Sequence, residues 1–314
     1  MKQKLKTTIF LTTLAIAILH IVNRYIISTA IIQNLLSRSN FRRFKWRFGD
    51  IFYTKAGEGK PLLLIHNLTP CSSSYEWNGL VHQLAKNHTV YTLDLLGCGR
   101  SDKPNMTYTN FLYVQLISDF IKNVIGEETD IISSGLSSSF IIMACHNDST
   151  MFGKIIMINP ESLSKLKHAP GKYSKATKLL MDFPIVGTFI YNLLMSKNNL
   201  EYLFTEEYLY NPFRLQPKFL NTYYESAHLG NCGGRHLLSS INGLYVNIDI
   251  THALTKIDNP ISIIAGKKCN NIKAITNEYL EINPKITLAF IENTKVLPQL
   301  EAPEALYQQL KLFL

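Results

Sequence analysis

The stretch "DIISSGLSSSFIIMACHN", Asp130 to Asn147, runs from a short apolar β segment straight into an apolar helical run. A strand that turns abruptly into a helix exposes the side chain at the turn, and the helix N-terminus sets backbone N–H groups and a positive dipole end beside it. Gly135-Leu136-Ser137-Ser138-Ser139 forms a G-x-S-x-S pattern centred on Ser137, with Ser139 where a second glycine would relieve crowding. In isolation such a cluster is more often a set of N-capping serines than a nucleophile. Its place between a buried strand and an apolar helix is what singles it out.

Working outward, further short apolar runs alternate with helical patterns: "PLLLIH" (61–66), "TVYTLDL" (89–95), "KIIMINP" (154–160), "ISIIAG" (261–266) and "ITLAFIE" (286–292). Fully apolar strands alternating with helices predict a parallel sheet covered on both faces. Ahead of them, "FKWRFGDIFYTKAG" alternates Phe44, Trp46 and Phe48 with Lys45 and Arg47, which predicts an antiparallel hairpin turning at Gly49-Asp50. Thr109 is placed to cap a helix whose apolar face is Phe111, Val114, Ile117, Ile121 and Val124, and Gly126 to end it. Residues 161–250 lack a strand of similar quality and predict a mostly helical insertion between two core strands.

The net charge of +9 is not spread along the chain. Residues 1–49 hold nine Lys or Arg and no acid, which leaves 23 basic and 23 acidic residues in the remainder. A cationic excess confined to the flanks of an apolar run points to a membrane surface and away from nucleic acid. That run, Thr7 to Asn23, is uncharged and close to the ~17-residue minimum for a spanning helix. Continuing through "YIISTAII", with Arg24 snorkelling to a headgroup, residues 7 to roughly 30 read as one single-pass anchor contacting membrane lipid. The alternative is a cleaved signal peptide with Ser28 and Ala30 at its small-residue positions. Three lysines precede the run and Arg38 to Arg47 follow it, so the charge pattern assigns no side of the membrane.

The five cysteines have neither C-x-x-C pairing nor His/Cys spacing suited to zinc, so no disulfide framework or metal site is expected. Gly97-Cys98-Gly99 begins like a dinucleotide loop, but the third glycine of that fingerprint falls on Asp102, and a tight turn fits better. No cofactor is expected.

Taken in order and spacing, "PLLLIHNL…YEW", "TVYTLDLLGCGRSDKP", the Ser137 turn and "LPQLEAPEAL" resemble the α/β-hydrolase superfamily, in the branch of epoxide hydrolases, haloalkane dehalogenases and carbon–carbon bond hydrolases. The resemblance implies an α/β-hydrolase fold over residues 42–314, with a core of 42–160 and 251–314, a helical cap at about 161–250, and the anchor of residues 1–34 outside it. It implies Ser137 as nucleophile position and the backbone N–H groups of Leu68 and Ser138 as oxyanion hole. His66-Asn67 stands where the family has His-Gly, with Asn67 expected to take positive φ. A serine also excludes the aspartate-nucleophile mechanisms of dehalogenases and epoxide hydrolases.

The remaining triad positions carry the wrong chemistry. The resemblance puts the histidine position on Val296 and the acid position, three residues past the strand ending at Gly266, on Cys269. Valine cannot move a proton, and a neutral thiol cannot orient an absent imidazole. Glu161, His228 and Lys295 are the substitutes to inspect, against blander roles as a helix-end charge, a cap residue and a loop lysine. Two functions follow: a hydrolase of an ester, thioester or amide of an apolar substrate with a nonstandard proton-transfer group, or a binding module for a small molecule or lipid without turnover.

Overall fold

The computed structural model describes residues 2–37 and 41–314, so Arg38 of the basic cluster lies outside the described residues. Eight strands, β1 (Arg42–Trp46), β2 (Gly49–Ala56), β3 (Lys60–Ile65), β4 (His88–Leu93), β5 (Thr129–Ser134), β6 (Phe152–Ile158), β7 (Ile261–Gly266) and β8 (Thr287–Ile291), form one sheet in the order β1-β2-β4-β3-β5-β6-β7-β8. β1 and β2 pair antiparallel, as do β2 and β4, while β4, β3, β5, β6, β7 and β8 run parallel. The hairpin turns at Arg47-Phe48, because Gly49 already pairs with Trp46 as the first residue of β2. The expected turn at Gly49-Asp50 is therefore two residues late.

The helices are α1 (Lys2–Ile31), α2 (Asn78–Leu84), α3 (Asn110–Phe120), α4 (Ser137–Asn147), α5 (Leu163–Leu166), α6 (Ser174–Asp182), α7 (Val186–Leu194), α8 (Lys197–Tyr202), α9 (Pro217–His228), α10 (Gly234–Asn242), α11 (Thr251–Lys256), α12 (Ile272–Ile282), α13 (Pro298–Glu301) and α14 (Pro303–Phe313). Alternation along each strand sends side chains to opposite faces of the sheet. Leu63, Ile65, Ile131, Met157 and Ile263 join Phe120, Phe140 and Leu254 on one face. Leu62, Leu64, Ile132, Ile158 and Ile264 join Trp77, Leu84, Leu306 and Leu310 on the other. Both faces are covered, which is why these strands read as unbroken apolar runs. Thr109 caps α3 by accepting the Leu112 N–H, although Phe111, expected on its buried face, is 74% exposed.

Between β6 and β7 the described chain contains helices and turns but no strand. These helices build a separate core from Met181, Tyr191, Leu200, Phe204 and Tyr223, which also takes in Leu297 and Leu300 from the end of the chain.

α1 departs from the expectation of a helix apart from the body. Asn23, Ile27 and Ala30, one helical stripe, are buried, and Ile27 belongs to the core of the insertion. The Asn23 amide donates to Ile185 O (2.9 Å) and accepts from Asn192 Nδ2 (2.9 Å). Arg24 donates to Asn231 Oδ1 (3.1 Å), which ties the helix to the insertion. Beyond the helix, the Leu35 and Leu36 N–H groups donate to the buried Glu225 carboxylate. The part of α1 that stands free is thus residues 2–22; its uncharged stretch, 7–22, is at 1.5 Å per residue about 24 Å of helix, a few ångströms short of a bilayer's ~30 Å hydrocarbon core.

Candidate active site

The parallel strands all end at the same edge of the sheet, so the loops after them converge there. After β5 the chain passes through Gly135 at φ +56°, then Leu136 in ordinary helical geometry, and α4 begins at Ser137. The apex of the strand-to-helix turn, the position where the family presents its nucleophile, is therefore Gly135. Ser137, expected at that apex, is the first residue of a regular helix, is fully buried, and donates its hydroxyl to His66 O (2.7 Å). Ser138, expected to lend an oxyanion N–H, donates that N–H to Gly135 O (3.2 Å). Both assignments were displaced by two residues, because the only residue here that enters positive φ freely is the glycine.

The space in front of the apex is filled. A Cβ placed on Gly135 would lie 2.3 Å from Asn67 Oδ1. That same oxygen accepts the N–H of Leu136 (3.0 Å), the group which follows the nucleophile position and would face a substrate oxyanion. Asn67 does this with its side chain and is not among the residues at positive φ, contrary to expectation. Its own N–H donates to Glu76 Oε2 (3.3 Å). Glu76, fully buried in a turn of 3-10 helix, also accepts from Tyr223 of α9 (3.1 Å) and from Gln299 Nε2 (3.2 Å), and Gln299 reaches Ser134 Oγ (3.3 Å). Burial pushes the Glu76 carboxyl above its ordinary range, against the pull of His66 and these donors. His66 is buried, accepts the Leu95 N–H on Nε2 (3.0 Å) and so turns Nδ1 to Asn67 O (2.7 Å), a tie between the loops after β3 and β4. Leu68 is buried beside it.

Val296 and Cys269 do lie on loops at this edge, after β8 and β7. Asn159, just past β6, binds both loops: its Nδ2 donates to Lys295 O and Val296 O (2.9 Å each), and its Oδ1 accepts the Gly266 N–H (2.9 Å). Val296 packs against the core of the insertion and donates its N–H to Tyr208 O (3.0 Å). The Cys269 thiol is half-buried, and burial pushes its pKa up, away from thiolate. The three substitutes stand elsewhere. Glu161 pairs with Lys165 (2.6 Å), and Lys295 extends to Glu206 O. His228 donates to Tyr224 O (2.7 Å) and packs between Tyr224 and Tyr191, and burial lowers its pKa. None of the three is hydrogen-bonded to Ser137. Among the described residues no cluster of three His, Cys, Asp or Glu side chains forms a metal-binding set.

Asn67, Glu76, Gln299, Tyr223 and Asn159 went unremarked or misread in sequence because they meet only through the fold, Glu76 and Gln299 being 223 positions apart. Gly135 did carry a signal: it is the lone glycine in "SSGLSSS".

A family model described as the alpha/beta hydrolase family matches residues 62–309. An uncharacterized protein of Mycobacterium tuberculosis is 29% identical over 110 residues, 35% of this chain and 32% of that protein. The 2-hydroxy-6-oxo-6-(2'-aminophenyl)hexa-2,4-dienoic acid hydrolase of Metapseudomonas resinovorans is 35% identical over 71 residues, 22% of this chain and 24% of that enzyme. The aligned stretches thus span a third or less of these curated relatives. Among solved structures, the epoxide hydrolase CorEH aligns with a TM-score of 0.72 at 18% identity, over 87% of this chain and 98% of its own. The serine hydrolase CarC of carbazole degradation aligns at 0.71 and 16%, over 87% and 97%. At these identities the likeness is one of fold.

Proposed function

We propose that this chain, which belongs to the α/β-hydrolase family, is a membrane-tethered member that has given up serine hydrolysis at the family's site and serves as a binding module. One observation carries this: the apex of the turn is Gly135, with no side chain to attack, and Asn67 fills the room a nucleophile would need while occupying the Leu136 N–H. The hydroxyls on either side are buried and engaged: Ser134 Oγ accepts from Gln299 Nε2, and Ser137 is spent on a carbonyl. Valine and cysteine at the other two triad positions agree with the loss. What the module would hold is an apolar or acyl small molecule.

The tether is supported by the free apolar length of α1, and the last third of that helix, bonded to the body, would hold the domain close to the bilayer.

A fluorophosphonate probe tests the catalytic half, since only an activated serine reacts quickly. The expected result is no adduct on Ser137, Ser138 or Ser139 after prolonged exposure. Rapid labelling at Ser137, lost in Ser137→Ala, would restore the hydrolase with a nonstandard base.

A further inference from the structure

Where α1 meets the insertion there is a groove of about 220 Å³. Its polar side includes His20, Arg24, Asn231 and Arg235, and its apolar side includes Pro184 and Ile185. The volume is several times the ~30 Å³ share of one water, room for a phosphodiester and its flanking glycerol. Two guanidinium groups face this space without a counter-charge: among the described residues neither Arg24 nor Arg235 has a carboxylate within salt-bridge distance. Arg24 donates only to the neutral Asn231 amide, and Arg235 Nε is buried with no hydrogen-bond partner. A buried donor left unpaired is costly, and a guanidinium fork matches the oxygens of a phosphate. Asp182, the acid at the end of α6, is already engaged by Lys178 and His236.

The groove's level is set by α1 itself. The uncharged run ends at Asn23, and Arg24 follows, so His20, Asn23 and Arg24 stand where a spanning helix leaves the hydrocarbon for the headgroups. The turn between α6 and α7 lies at the same level, because Ile185 O accepts from Asn23. Around that turn Leu179, Leu180 and Phe183 are 70%, 54% and 57% exposed, an apolar edge suited to the acyl boundary.

We infer that this groove binds the phosphate of an anionic phospholipid, with Arg235 and Arg24 as its ligands and the α6–α7 turn seated in the same leaflet. The inference rests on the membrane-tether reading for its orientation, but the site can be tested apart from it. The full chain, purified in nonionic detergent, is titrated with dihexanoyl-phosphatidylglycerol, dihexanoyl-phosphatidylcholine and inorganic phosphate. Phosphatidylglycerol is expected to bind at least tenfold more tightly than phosphatidylcholine, with Arg235→Gln weakening it tenfold or more and Arg24→Gln severalfold. Equal binding of the two lipids, or no change in Arg235→Gln, would overturn the site. Inorganic phosphate competing at the same concentration would make it a free-anion site and overturn the lipid assignment. If Arg235→Gln does not fold, Arg235→Lys keeps the charge without the fork: intermediate affinity supports the site, wild-type affinity overturns it. Carbonate extraction of wild-type protein from membranes reads the tether separately; release there defeats the tether and leaves the detergent titration to decide the headgroup site.

Discussion

The loop after β4 and the turn after β5 flank the same central strand, β3, and they have fared differently. After β4, every group the backbone needs is present. Asp94, fully buried, accepts from Ser74 N–H (2.7 Å) and Arg100 N–H (2.8 Å) and takes a two-pronged contact from the Arg100 guanidinium (2.7 and 3.0 Å), which lies 3.7 Å from the centre of the Phe52 ring. Gly99 at φ +48° leaves room for this, since a Cβ there would stand 2.3 Å from Asp94 Oδ2. After β5 the backbone shape is likewise present, with Gly135 at positive φ, but the apex carries no side chain and Asn67 Oδ1 occupies the space a Cβ would need. On the function proposed above, parts that hold the chain's path remain, and parts that serve only chemistry do not. The difference separates what the fold requires from what the reaction required.

The largest effect should come from putting chemistry back. If Gly135 is the apex, Val296→His with Cys269→Asp on the natural turn should yield no ester hydrolysis, because no nucleophile faces the new imidazole. Adding Gly135→Ser alone should cost about 2–4 kcal/mol, from positive φ at a residue with a Cβ and from collision with Asn67. Adding Asn67→Gly as well should recover much of that loss and free the Leu136 N–H. The fourfold variant is then expected to cleave a p-nitrophenyl ester at least ~100-fold above the natural chain, in line with what a positioned base supplies. Gly135→Ala in place of Gly135→Ser should abolish the gain. Were Val296→His with Cys269→Asp sufficient by itself, and sensitive to Ser137→Ala, the apex would be Ser137 after all.

The contrast also shows what was legible beforehand. The sheet could be read because each strand is buried on both faces and so announces itself as an apolar run. The helix caps could be read because Thr109 and Gly126 act on their own neighbours. The edge of the sheet could be read, since Val296 and Cys269 lie on the loops after β8 and β7 there. The register of the turn failed for a physical reason: Ser133 to Ser139 offers five hydroxyls and one glycine, and backbone geometry, not the hydroxyl, fixes the apex. The packing of Asn23, Ile27 and Ala30 was hidden inside a helix apolar on all sides, where no stripe stands out.

A second, smaller effect tests the other half of the comparison. Burial alone would favour neutral Asp94, but the Arg100 charge and hydrogen bonds outweigh it and hold the carboxyl well below the usual carboxylate range. A depressed folded pKa contributes stability that is complete above the unfolded value of about 3.9 and is lost as pH falls below it. Arg100→Met should lower stability by about 3–5 kcal/mol at pH 7, because it strands a buried charge. Without Arg100, burial is left to raise the Asp94 pKa, so the gap to wild type should begin to narrow above about pH 4, as the folded variant takes up a proton, and should go on narrowing below it as the wild-type contribution is lost. Denaturant melts across pH 2.5–7 would show it (~3.9 being the reference carboxylate value). A gap that stays constant with pH would mean that Arg100 contributes packing and not charge.

The smallest effect concerns the closure of the insertion over the filled site. Tyr223 sits in α9, and its hydroxyl donates to a carboxylate of the core through a single buried bond of 3.1 Å. Tyr223→Phe removes the donor and keeps the ring, which packs edge-on against Phe204 at 4.8 Å. A hydrogen bond to a charged group contributes about 1.5–3 kcal/mol and one to a neutral group about 1 kcal/mol, so the cost depends on whether Glu76 is ionised. Burial raises the Glu76 pKa, so in the folded state the acid becomes neutral at a higher pH than an ordinary glutamate. The sign follows: the penalty of Tyr223→Phe should be larger at high pH, where the bond serves a carboxylate, and should shrink as pH falls through the raised folded pKa. Loss of the donor should itself push that pKa further up, visible as a shifted carboxyl resonance in a Glu-labelled sample. A penalty that grows on acidification would show that Tyr223 bonds the neutral acid in preference, and the contact would then latch the insertion shut in acid instead of at neutral pH.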